Sequence, residues 1–113
     1  METRDEARAL RDLTFSALSE ANRKRTTECF HPIEEWSPTD WACALAGEVG
    51  EACNLIKKWR RGEEIDLADV GSELADVVIY ADLFCARIGL VLEEVIRHKF
   101  NQTSDKIGSD VTL

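Results

Sequence analysis

Apolar positions along the chain recur every three or four residues, and the β-branched residues never alternate cleanly with polar ones, so the pattern predicts helices and no strands. Thr3-Arg4-Asp5-Glu6 has the form of a capping box and opens a first helix. Leu10, Leu13, Ala17 and Leu18 are its apolar stripe, and it runs out in the polar stretch Asn22-Arg23-Lys24-Arg25. Residues 25–37, which contain His31-Pro32, read as a loop. A second helix starts with Ser37 as cap, Pro38 in the first turn and Asp40 at the positive end of the dipole. It ends in Lys57, Lys58, Arg60 and Arg61, and Gly62 closes it. Asp66 caps a third helix that runs to Gly89. A fourth covers residues 91–103, with Leu92, Val95, Ile96 and Phe100 inward. The short turn between the second and third helices makes them an antiparallel hairpin. The expected architecture is all-α: one domain over residues 1–113, four helices built on a central hairpin.

On a helical wheel the second helix has one apolar face: Trp41, Leu45, Val49, Ala52, Ile56 and Trp59, extended by Ala44 and Leu55. Glu48 falls inside that face and Glu51 at its edge, where solvated glutamates do not normally sit. The third helix is apolar on nearly all sides and should be buried. Val70, Leu74, Val77, Val78, Ala81, Phe84, Cys85 and Ile88 form one face, and Ile79 and Leu83 another. Between them runs a narrow stripe of Asp69, Glu73, Asp76, Tyr80 and Arg87. Each helix thus carries two acids three apart, Glu48 with Glu51 and Glu73 with Asp76, and a spacing of three sets both on one side. The hairpin lets the pairs face each other. Enclosing several carboxylates without counter-charge is costly, since each loses its water and repels the rest. Lysines and arginines cluster near helix ends, so divalent cations fit better. All-oxygen donors favour Mg²⁺ or Mn²⁺ over Ca²⁺. Di-iron bundles use Glu-x-x-His on their helices, and neither helix here has a histidine.

Composition narrows the choice. The chain has 113 residues with 22 acidic and 14 basic side chains, a formal net charge of −8, which argues against a general phosphate-backbone binder. At 44% hydrophobic it is no disordered chain, and no apolar run is long enough to cross a membrane. The charged start is no signal peptide, and Cys29, Cys43, Cys53 and Cys85 form no CxxC pair. They read as free thiols packed as small core fillers in a reducing cytoplasm.

The stretches GEVGEACNLIKKW (47–59) and ELADVVIYADL (73–83), with KFN (99–101) downstream, resemble the E-x-x-E and E-x-x-D helices of the MazG-like all-α nucleoside triphosphate pyrophosphohydrolases. The resemblance spans residues 37–108. It departs at Gly47, where the family often has a glutamate. It implies Mg²⁺-dependent hydrolysis of a nucleoside triphosphate to the monophosphate and pyrophosphate, with water activated at the metal site attacking the α-phosphorus and Mn²⁺ able to substitute. By position Glu48, Glu51, Glu73 and Asp76 become the metal ligands and catalytic acids. Lys99 and Asn101 match the triphosphate-binding stretch. Asn54 and Lys58 continue the face of Glu51 towards phosphates, and Tyr80 lies one turn past Asp76. His31 and Trp36, in the loop before the second helix, are placed to stack or contact the base; Trp36 could equally be a staple for the helix start. Short single-domain members occur in phages and bacteria, and some favour purine deoxynucleotides such as dGTP. The resemblance further implies a dimer or tetramer whose subunits complete the site, and the third helix offers more apolar surface than its neighbours can cover. The competing reading is a non-enzymatic helical interaction protein of antitoxin or adaptor type, with the acids as a solvated rim.

Overall fold

Thr14 caps the first helix of the computed structural model, which describes residues 11–113; its hydroxyl accepts from the Ala17 amide at 3.0 Å. The capping box at Thr3–Glu6 and Leu10 of the expected stripe lie outside the described residues. Helix α1 spans Phe15–Cys29 and does not end in the polar stretch at Asn22–Arg25. Arginine and lysine are good helix formers, so Arg23, Lys24 and Arg25 continue it on the solvent side. The inner face is itself polar, because Asn22 and Thr26, one turn apart, are both buried. Leu13, expected in an apolar stripe, precedes the helix and is 85% exposed.

The expected loop is shorter than residues 25–37 and contains a 3-10 turn at Ile33–Glu35. Helix α2, Pro38–Arg60, starts with a complete capping box: Asp40 N donates to Ser37 Oγ, and Ser37 N donates to Asp40 Oδ2. Trp36, just before the cap, meets Trp41 with ring centroids 4.7 Å apart, a hydrophobic staple that fixes how the chain enters the helix. Gly62 ends α2 at φ 91°, a left-handed conformation that glycine takes without steric cost. Asp66 caps helix α3, Leu67–Arg87, by accepting from the Ala68 amide. Helix α4, Leu92–Ile107, runs a turn beyond its expected end and stops at Gly108, φ 74°. The described residues contain no strand, and none of their helices is long and apolar enough to cross a membrane.

Helices α2 and α3 pair along the hairpin, α1 packs on α3, and α4 touches α1 and α3 but not α2. The core is small. Ile33, Trp41 and Leu83 are its buried centre, with Trp36, Ile79, Tyr80, Phe84 and Ala86 against it. Trp41 is 1% exposed and its indole N–H donates to the Ile33 carbonyl at 3.0 Å. Much of the expected core is not covered within one chain. Val49, Ile56 and Trp59 on α2, Leu74 and Val78 on α3 and Ile88 at the C-cap of α3 are exposed, Trp59 by 52%. All four cysteines are free, but Cys29, Cys43 and Cys53 are exposed rather than core fillers. The radius of gyration, 17.0 Å, exceeds the value of about 13 Å for a compact chain of this length.

Candidate metal centre

Glu48 on α2 and Glu73 and Asp76 on α3 each turn a carboxylate oxygen to one point, all within 4.8 Å of one another. The spacing of three on α3 and the antiparallel pairing with α2 bring them together. All three are half-buried, and Glu51, like Asp69 further along the stripe, is exposed, so the cluster opens to solvent instead of being walled in. Glu51 still acts on it. The Glu73 carboxyl is raised above its ordinary 4.5 by a hydrogen bond with Glu51, by burial and by the charges of Glu51, Asp76 and Asp69. Glu48 is raised by burial, then by the charges of Glu51 and Asp76, a hydrogen bond with Glu51 and the charge of Glu73.

No base of the described residues relieves this repulsion. Their ion pairs join Arg11 to Glu20, His31 to Glu35, Arg61 to Glu63 and Arg97 to Glu93, leaving the four acids out. Glu48 Oε2 and Glu73 Oε2 are buried without a hydrogen-bond partner. Unpaired buried carboxylate oxygens beside one another are what a hard divalent cation satisfies, and an all-oxygen donor set suits Mg²⁺ or Mn²⁺.

Asp76 also lines a cavity of about 430 Å³ between α1, α3 and the segment before α2. Its wall is aromatic. His31 stacks on Trp36 at 4.6 Å between centroids, Trp36 meets Trp41, and Trp41 lies 6.3 Å from Tyr80. Trp36 is therefore both staple and cavity wall. The segment is held from two sides, by the Trp41 bond to Ile33 and by Arg87 Nε, which donates to the Trp36 carbonyl at 2.7 Å. Tyr80 joins the cavity to the acids. Burial and the charges of Glu48, Asp76 and Glu51 push its phenol up, so its hydroxyl keeps its proton at neutral pH and remains a donor.

The structure thus brings together Glu48, Glu73, Asp76, Tyr80, His31 and Trp36, with Glu51 at the rim. Asn54 and Lys58 are exposed on α2. Lys99 and Asn101 lie on α4, which does not touch α2; Lys99 Nζ reaches Gln102, and the Asn101 amide bonds both main-chain groups of Leu113. The sequence reading missed the α1 side of the cavity, Asn22, Arg25, Thr26 and Phe30, and the buried Asp82 behind it. Asp82 accepts from the Ser19 hydroxyl and from Asn22 Nδ2 at 3.0 Å. The available signal was a carboxylate between Ala81 and Leu83, opposite Ser19 and Asn22 spaced three apart. The chain matches no protein-family model, no curated protein and no solved structure.

Proposed function

We propose that the chain is a Mg²⁺-dependent nucleoside triphosphate pyrophosphohydrolase of the MazG-like kind, acting on a deoxynucleotide, with dGTP the first candidate. The observation that carries this reading is the convergence of Glu48, Glu73 and Asp76 beside an aromatic cavity that shares Asp76 and Tyr80 with them. An acidic cluster alone favours no substrate. A cluster with unpaired buried oxygens at the mouth of a slot for a flat ring suits a molecule with a base at one end and phosphates at the other.

Glu48, Glu51, Glu73 and Asp76 hold the cation, which when bound offsets their charge, polarises phosphoryl oxygens and makes nearby water more acidic. The chain supplies the rest. His31 and Trp36 hold the base, Tyr80 donates a hydrogen bond towards the phosphates, and one of the four carboxylates accepts the proton lost by the attacking water. Asn54 and Lys58 extend towards the distal phosphates. Lys99 and Asn101 contribute through the α4 of a neighbouring subunit.

A panel of NTPs and dNTPs with Mg²⁺, assayed for pyrophosphate, tests this directly. We expect release from at least one deoxynucleotide and loss of it in Glu51→Gln with the helical signal intact; silence across the panel ends the reading. The exposed apolar residues of α2 and α3 favour the adaptor alternative as a second reading. That alternative predicts no change in Tm on adding Mg²⁺ or Mn²⁺, whereas a ligand bound only by the folded state must raise it.

A further inference from the structure

One group on the cavity wall has incomplete bonding. Asn22 is 3% exposed, lines the cavity, and its Oδ1 has no hydrogen-bond partner. Its Nδ2 donates to the Ile79 carbonyl at 2.9 Å and to Asp82 Oδ2 at 3.0 Å. Both partners can only accept, because neither a main-chain carbonyl nor a carboxylate has a proton to give. Turning the amide over would set Oδ1 against two oxygens and forfeit both bonds. The amide therefore has one orientation. Asp82 enforces it, and Asp82 is itself anchored through its other oxygen by Ser19. What remains is an oriented acceptor with no partner among the described residues, and a ligand donor that reaches it recovers the cost of leaving it so.

We infer that Asn22 selects what this cavity binds: its Oδ1 accepts a hydrogen bond from a ring N–H or exocyclic amine of a planar aromatic base held against His31 and Trp36. Asp82 is the positioning residue that holds the amide in register. The inference deepens the nucleotide reading above and rests on it for the identity of the ligand. It assigns base discrimination to α1, an element that carries none of the acids. A site built around a buried acceptor rejects a flat analogue lacking the donor more strongly than any hydrophobic slot does.

Binding is measured without turnover. The 2′-deoxynucleoside monophosphates are titrated into the wild-type protein, each beside an analogue whose base donor is removed, with an amine replaced by hydrogen or a ring N–H methylated. Quenching of tryptophan fluorescence is the readout, since Trp36 and Trp41 form the wall. Loss of the donor should weaken the preferred nucleotide about ten- to hundredfold in wild type. Asn22→Ser should bind the pair alike. Asp82→Asn, nearly the same shape, allows the Asn22 amide a second orientation and should reduce the discrimination while leaving the Mn²⁺-induced rise in Tm unchanged. Equal affinity for the pair in wild type overturns the inference, as does the absence of quenching by every nucleotide; full discrimination in Asp82→Asn overturns the positioning role. Selective binding without pyrophosphate release removes the hydrolase reading and keeps this one, and release with equal binding does the reverse.

Discussion

Glu73 shows what a single side chain contributes here. Its carboxyl and that of Glu48 are raised above 4.5 in the folded protein, so folding favours their protonated forms. The stability they contribute without cations is therefore complete below pH 4.5 and is lost as pH rises through the raised values. In EDTA, wild-type Tm should fall over that range relative to Glu73→Gln, which carries no charge to repel; parallel curves for the two proteins would contradict this. At pH 7, Mn²⁺ should raise the Tm of wild type and much less that of Glu73→Gln, and kcat/KM of the variant should drop about a hundredfold or more. These acids were legible in the sequence because they interrupt apolar arcs. Asn22 and Asp82 were not. Asn22 sits among charged residues, and nothing local distinguishes an inward polar side chain from an outward one; only the packing of α1 on α3 does that.

Helix α2 is the element most fully written in the sequence, because its start and stop are chemical. Ser37, Pro38 and Asp40 fix one end and Gly62 the other, with Trp36 against Trp41 holding the entry. Ser37→Ala removes the acceptor for the Asp40 amide and should cost about 0.5–2 kcal/mol in urea unfolding. An unchanged midpoint would mean that the box contributes nothing. Helix α1 was misjudged in length because apolar period is a guide only where the inner face is apolar, and its inner face holds Asn22 and Thr26. The far end of α4 was missed because Gly108, its true stop, lies about two turns past Phe100, the last apolar residue of its stripe.

At the scale of the molecule the described chain is more spread out than its length requires, with Val49, Ile56 and Trp59 along α2 and Leu74 and Val78 along α3 facing outward. Exposed stripes at helical spacing on paired helices are surface that a second copy of the chain would cover. Sedimentation should therefore give a dimer or tetramer, and Val78→Arg should shift it towards monomer; a wild-type monomer at high micromolar concentration would count against the oligomer. Within the chain, Arg87 and Trp41 both grip the segment before α2 through its main-chain carbonyl groups. A clamp that holds backbone is indifferent to the side chains it spans. The exposed Glu34, unlike Glu35, which pairs with His31, is thus free to drift over evolutionary time, or to be replaced by a fluorophore-bearing residue, without loosening that wall.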